Sequence, residues 1–539
     1  LARQCPAPSF DNRIQRVICH LLVATPQGKK HLERSVPFMS RIVVIGAGVG
    51  GLATAARTAV KGHEVVIVEQ GSRVGGKLHT YRRDGFAFDT GPSLFTLPAV
   101  YRDLFLKTGE PLEECVDLQE VEPGFTYHWS DGTTAVLPGV GIGKAAEALG
   151  DALGGNARDQ WRALMQRASD MWALTRAPVL QSPLVGLRSA VRLTKSVSDI
   201  RTIAPFTTLR GLGKRTFSDP RLVTLLDRYA TYTGSDPRRA PAALATVPFV
   251  EQTFGAWHIG GGVGTLAPVL ADRARARGVD IRLNSPAASI ALRDGAVSGV
   301  ELTSGEFLNA DIVISDADAS ILYGSLLPSD SRSAKVLRTL DRSTPSLAGF
   351  VMLLAVTGET PNITHHNVWF PENYDAEFDA IFSKHPHVVS DPTIYACVPK
   401  DPAMRPDADH ESWFILVNAP RHSDNGASGT MNWNAPGIAE AYGKQVLDLL
   451  AARGTDLRSR ILWQEISTPA DLERDAGAPG GGIYGMASHG PLSTFKRPAN
   501  QAPIPGLFVV GGSAHPGGGL PLVGMGAEIT AELIGRAKK

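Results

Sequence analysis

The positions best suited to chemistry begin with three glycines, Gly46, Gly48 and Gly51, with Gly50 beside the last, followed by a carboxylate, Glu69. In this spacing the first glycine permits a tight turn, the second lets backbone approach a diphosphate, and the third lets a helix pack closely on a strand. An acid about 20 residues further on can accept hydrogen bonds from a ribose. A ribose 2′-phosphate would be repelled at Glu69. The chemistry indicated is dinucleotide binding, with the redox power held in the nucleotide. Cys5, Cys19, Cys115 and Cys397 are scattered without a CxxC pair or a Cys/His ligand spacing, so no metal is expected. Four polar side chains, His365, His366, Asp391 and Tyr395, stand beside aromatic runs and are the candidates for catalysis. Core hydrogen bonding or capping is the competing use of each.

A lone GxGxxG is weak in a chain with 56 glycines, so the elements around it decide the matter. Residues 42–45 are a β-branched run fit for a strand covered on both faces. Residues 49–60 predict a helix with its amino end toward phosphate, Lys61-Gly62 stops it, and residues 65–68 predict a second strand ending at Glu69. An empty α/β unit is the competing structural reading. Mid-chain, Gly260-Gly261-Gly262 leads into a helix carrying Leu266, Val269, Leu270 and Ala274 on one side and ending near Gly278. Strands are predicted after it at 280–283, 287–290, 297–302 and 310–315. Near the carboxyl end, residues 507–510 predict a buried strand, the glycine-rich run 511–526 a loop, and residues 527–534 a closing helix. So much glycine lets backbone amides approach a flat polar ligand, with a plain surface loop as the alternative.

Two further segments carry a resemblance. Gly75-Gly76-Lys77 follows Glu69 closely, and Asp89-Thr90-Gly91-Pro92 comes one hairpin later. The sequence here resembles the FAD-dependent amine oxidase and carotenoid desaturase superfamily, in which ExxxxxGG[RK] extends the dinucleotide motif. That resemblance implies FAD as cofactor, Arg73 and Lys77 along its pyrophosphate, Gly75, Gly76, Gly91 and Pro92 around it, and backbone near Ala288 against adenine. The block containing Gly512, His515, Gly517, Gly518, Gly519 and Leu522 is similar to the phytoene desaturase and carotenoid oxidoreductase family, whose GG-x-x-HPGGG-x-P loop wraps the flavin. His515 would there orient backbone or tune the ring. Blocks such as Phe217-Ser218-Asp219-Pro220 and Val417-Asn418-Ala419-Pro420 extend the similarity over nearly all of residues 41–535. His258-Ile259 and Val263 stand where many bacterial phytoene desaturases have Tyr-Pro and Met, which points to a polyene later than phytoene.

The activity implied is desaturation of a linear phytoene-derived polyene by hydride transfer to flavin N5, with oxygen or a quinone as electron acceptor. Isomerisation, saturation or oxygenation of a carotenoid, amine oxidation, and a non-catalytic flavin-binding partner protein are the alternatives. A hydrocarbon offers no polar handle, so enclosure and alignment must carry much of the catalysis. Apolar stretches able to enclose it are residues 165–190, with Trp172, Leu174, Val179, Leu180, Leu184 and Leu187, and residues 240–257, with Leu244, Val247, Phe249, Phe254 and Trp257. Each serves equally well as core.

A chain of 539 residues exceeds one compact core, so more than one domain is expected. With 54 basic and 53 acidic side chains its formal charge of +1 leaves no field to hold nucleic acid. No apolar run has the length of a spanning helix, and residues 347–356 suit a buried strand. A cytoplasmic location is expected, with peripheral contact at the inner face of the plasma membrane left open, since it needs one apolar surface patch. Residues 1–38 are read as a disordered or upstream extension ahead of a natural start at Met39. The expected fold class is α/β. A Rossmann-like FAD-binding domain would come from residues 39–110, 255–325 and 485–539, and a second α+β substrate domain from 111–254 and 326–484, both discontinuous in sequence.

Overall fold

Five parallel strands form the sheet at the nucleotide end, in the order Leu507–Val509, Ile312–Ser315, Arg41–Ile45, Glu64–Val68 and Asp280–Arg282. The computed structural model describes residues 39–184 and 196–537; the predicted extension over 1–38 and Leu187 lie outside the described residues. The sheet is apolar on both sides because both are covered. Ile42, Val44 and Ile67 pack with Leu52 and Ala56 of helix Val49–Ala59 and with Ala527 and Ile534 of helix Leu520–Ile534. Val43, Ile45 and Val313 pack with Ile290 and Val300 of a three-stranded antiparallel sheet, Ala287–Arg293, Ala296–Leu302 and Phe307–Asn309. A Cβ on Gly51 would collide with the carbonyl of Gly46, so the third glycine of the motif is what brings helix and strand together.

The closing helix begins at Leu520, earlier than the glycine content suggests. Gly524 and Gly526 lie inside it. A Cβ on Gly524 would stand 2.6 Å from Cγ1 of Val100, so this glycine answers to packing and not to a loop. Pro521 sits in the first turn, where its missing N–H has no intrahelical partner to lose.

The second layer is a seven-stranded sheet in the order Ile461–Ser467, Ala348–Thr357, His410–Ala419, Ile394–Cys397, His366–Trp369, Phe125–His128 and Thr134–Leu137. Neighbours are antiparallel except His366–Trp369 beside Phe125–His128. Strand Ala348–Thr357 alternates between two cores, as a period of two requires. Phe350, Met352 and Leu354 meet Trp413 and Tyr442, whereas Val351, Leu353 and Ala355 meet Phe414, Phe86 and Phe88. The apolar run 347–356 is thus a doubly covered strand, and among the described residues no helix is long and apolar enough to cross a membrane. Phe86 and Phe88 belong to the hairpin Thr80–Arg83 and Phe86–Asp89, which joins the nucleotide unit to this sheet. A further core gathers Trp161, Leu164, Leu212, Leu225 and Phe249 from helices against Phe125, Tyr127 and Phe370 of the sheet, and Met525 of the closing helix reaches into it. The fold is α/β, a Rossmann-like unit with a second α+β unit.

Candidate functional site

The carboxyl ends of the parallel strands converge on one cradle, the place where open α/β sheets bind ligands. The Gly46 N–H donates to Val68 O at 2.8 Å, and the Gly75 N–H to Ala47 O at 2.8 Å, which sets the second glycine pair against the first. Glu69 ends its strand with both carboxylate oxygens in use: one accepts from Ala47 N and the other from Gly71 N, each at 2.7 Å. Asn284 N and Ser285 N donate to the carbonyls of Gly71 and Glu69 at 2.9 and 2.7 Å. That draws the segment before Ala288, which lies at a register irregularity opening its strand, to the Glu69 end of the cradle.

Gly91 lets the chain fold back on itself, because a Cβ there would overlap the carbonyl of Lys77. Pro92 follows at once, and Asp89 clamps the turn by accepting from Val263 N, Gly264 N and the Thr80 hydroxyl at 2.8, 2.9 and 2.8 Å. The cations predicted along a pyrophosphate are engaged by carbonyls. Lys77 Nζ donates to Gly482 O and Ile483 O, both at 2.9 Å, and Arg73 to Gly76 O at 3.1 Å. Burial lowers the pKa of each.

The carboxyl-terminal glycines close the other wall. A Cβ on Gly50 would stand 2.9 Å from Gly511 N, and one on Gly518 2.7 Å from Cδ1 of Tyr484. Gly512 is held through its carbonyl by Arg497, which also donates to Tyr484 O at 3.1 Å and Met486 O at 2.9 Å; burial pushes its pKa down to about 10. His515 donates from Nε2 to Ser182 O at 3.1 Å, and burial pushes its pKa down to about 4, so it is a neutral packing and positioning group near pH 7. Gly517 lies against Leu522, Gly519 at φ +96° forms the N-cap of the closing helix, and Leu522 faces the apolar core shared with Met525.

One member of the cradle went unread in the sequence. Asp316 follows strand Ile312–Ser315, accepts the Gly51 N–H, and lies where a Cβ on Gly48 or Gly50 would meet its carboxylate. Burial raises its pKa to about 7. Its position just past the end of a parallel strand was the available signal.

The four catalytic candidates separate. Tyr395 Oη lies 2.8 Å from Ser93 Oγ, two residues past Gly91, and 2.8 Å from His366 Nδ1. The ring of His365 is 4.5 Å from that of His366 and 4.9 Å from that of His258, whose Nε2 donates to Asp401 at 2.9 Å. Burial pushes His365 down to about 3 and His366 well below the usual imidazole range, so neither is a ready proton acceptor. Asp391 is not among them: it pairs with Arg453 and caps Glu372 N, with its side chain 41% exposed. Arg228, also unread in the sequence, is buried with its guanidinium 5.4 Å from the Tyr395 ring and 5.3 Å from that of Tyr232.

Glycines that admit no Cβ, a carboxylate spanning the two turns, and an apolar core at the far end fit a dinucleotide that carries a flat ring. The sequence profile of the family described as flavin containing amine oxidoreductase matches residues 49–368. The chain is 33% identical over 504 residues to a 4,4'-diapolycopene oxygenase from Methylomonas sp, covering 92% of this chain and 98% of that protein. It is 31% identical over 498 residues to a hydroxyneurosporene desaturase from Rubrivivax gelatinosus, covering 92% and 93%. Among solved structures, the cyclohexylamine oxidase from Brevibacterium oxydans IH-35A superimposes with a TM-score of 0.60 at 15% identity, over 92% of this chain and 99% of that one, a likeness of fold.

Proposed function

The chain belongs to the flavin-containing amine oxidoreductases, as an FAD-dependent oxidoreductase with carotenoid desaturases and oxygenases among its relatives, and we propose that it desaturates a linear, phytoene-derived polyene. The observation that carries the reading is the contact between the glycine-rich wall and the apolar core: Leu522 and Met525, just past Gly519, pack in the cluster that holds Leu244, Phe249 and Phe370. An apolar ligand lodged there would reach the end of the cradle with no polar group to desolvate. FAD supplies, when bound, a two-electron acceptor at N5 of its ring.

The residues of this chain do the rest by holding and enclosing. Gly46, Gly48, Gly50, Gly51, Gly75, Gly76, Gly91 and Gly512 leave backbone room for the dinucleotide, and Glu69 fixes the turn beside its ribose. Tyr395, held between Ser93 and His366, forms a rigid polar edge near Pro92. Because burial keeps His365 and His366 neutral, alignment and exclusion of water contribute more than acid–base assistance. In this reading residues 39–110, 255–325 and 485–539 serve the flavin and residues 111–254 and 326–484 the polyene, with oxygen or a quinone taking the electrons. A water-insoluble substrate also calls for a lipid-facing patch, for which Phe206, 89% exposed, and the exposed Ile200 are the candidates.

Expression in hosts that accumulate different linear carotenoids tests the assignment. Loss of two hydrogens from a polyene with a longer-wavelength absorption is the expected product. A gain of oxygen would favour the second reading, terminal oxidation, which the 33% identical 4,4'-diapolycopene oxygenase makes specific. Unchanged polyenes in every host would reject both.

A further inference from the structure

Strands His366–Trp369 and Ile394–Cys397 pair antiparallel with His366 directly opposite Cys397. Directly opposed residues project from the same side of a sheet. His365, the residue before the strand, completes a trio: one ring nitrogen from each histidine and the Cys397 sulfur all lie within 4.8 Å of one another. His366 and Cys397 are 0% and 4% exposed, and Nε2 of both histidines is buried without a hydrogen-bond partner. A buried imidazole nitrogen left unpaired bears its full desolvation penalty, so a partner is called for. Water is a poor candidate, because one corner of the trio is sulfur, a weak acceptor and donor. Two imidazole lone pairs and a thiol match the ligand preferences of zinc and copper.

We propose that His365, His366 and Cys397 form a three-ligand site for a thiolate-binding transition-metal ion of the zinc and copper class, with a coordination position left open. Binding forms one metal–sulfur and two metal–nitrogen bonds as the thiol proton passes to solvent, with no change of oxidation state. The surroundings suit this. Tyr395 Oη occupies Nδ1 of His366, which fixes the ring and leaves Nε2 for the ion, the usual outer-shell arrangement of a metal-bound histidine. Burial and the neighbouring Asp89 carboxylate both raise the Cys397 pKa, so the thiol keeps its proton until an ion displaces it; Asp89 and Asp401, which stands behind His258, face the added positive charge while Arg228 opposes it. Sequence spacing gave no sign of the trio, since it arises from strand register.

The test uses the full-length, flavin-loaded protein, stripped of adventitious metal and titrated with zinc(II) alone or copper(I) alone against a chromophoric competitor. One ion per chain is expected in at least one titration, with X-ray absorption at the metal edge reporting one sulfur and two imidazole nitrogens. Cys397→Ser and His366→Gln should lose the site, and Tyr395→Phe should weaken it by about 10–100-fold. Failure of both ions to bind, binding equal in Cys397→Ser, or a sulfur-free coordination shell would each overturn the proposal. The wild-type stoichiometry and absorption spectrum decide the matter even where a variant does not fold.

Discussion

The carboxylate of Asp316 accepts the backbone N–H of Gly51 at the amino end of helix Val49–Ala59, the position a diphosphate is expected to take. Its pKa is raised to about 7, first by burial and further by Glu69, while Lys77 and the Gly51 N–H act in the opposite sense. Below that value Asp316 is a neutral donor toward phosphate, and above it an anion beside two negative charges. FAD affinity should therefore fall as pH rises above about 7, by up to about tenfold per pH unit. Asp316→Asn should flatten the profile, as a fluorescence titration of the apoprotein would report. The sign for stability follows the same shift. A carboxyl with a folded pKa above its unfolded value destabilises the fold progressively between about pH 4 and pH 7. Asp316→Asn apoprotein should then be the more stable at pH 8, by roughly 4 kcal/mol at 1.4 kcal/mol per pH unit, with the difference vanishing near pH 4.

Glu69 ties two turns together through Ala47 N and Gly71 N. Hydrogen bonds to a charged group contribute about 1.5–3 kcal/mol each. Glu69→Gln keeps one acceptor and should lose FAD affinity by about tenfold, whereas Glu69→Lys removes both acceptors and should purify nearly free of flavin. Absorbance at the flavin bands relative to protein measures this; a Glu69→Lys preparation with full flavin content would remove Glu69 from the site.

How much of this was legible depends on whether the information is local. The order of strand, glycine turn, helix, strand and acid is local, and residues 42–69 fold as their pattern predicts. The predicted strands at 280–283, 297–302 and 507–510 also appear within a residue or two at each end. The start of the closing helix was misplaced because Gly524 and Gly526 look like loop, and only the approach of Val100 explains them. Arg228 and the pairing of His366 with Cys397 depend on contacts between distant segments, which no spacing along the chain displays, whereas Asp316 is marked by its place just past a predicted strand. Asp391 shows the converse: it stands beside aromatic residues in the sequence, but its partner Arg453 is the C-cap of helix Ile438–Ala452, remote along the chain.

The glycines themselves separate by what stands over them. At Gly91 the obstacle is backbone, the Lys77 carbonyl, which cannot rotate away as a side chain would. Gly91→Ala should lower stability by about 1–3 kcal/mol and reduce flavin content in parallel. Gly143 provides the contrast. It lies in helix Ile142–Leu153 with nothing within 4 Å of a built Cβ, so Gly143→Ala should raise stability by up to about 1 kcal/mol without changing flavin content. Thermal unfolding with flavin absorbance on both variants makes the comparison; equal behaviour would mean that close approach at Gly91 is unimportant.

The last relationship concerns charge in the apolar unit. Glu251 is buried, which raises its pKa, and accepts from Tyr229 Oη at 2.7 Å and Tyr232 Oη at 3.1 Å, while Arg228 lies over the Tyr232 ring and, with those hydroxyls, acts on the carboxyl in the opposite sense to burial. Removing one member leaves the other charge uncompensated away from water. Glu251→Ala should destabilise by about 3–5 kcal/mol. Arg228→Met should also destabilise, because it leaves Glu251 with hydroxyl donors alone. In the double variant Arg228→Met/Glu251→Ala neither charge remains, and its destabilisation should fall short of the sum of the two single effects by about 0.5–3 kcal/mol. Denaturant unfolding of the four proteins gives that coupling directly. Simple additivity would mean that the two groups act on the fold independently, and Arg228 would then be free to serve the ligand beside Tyr395 instead of the core.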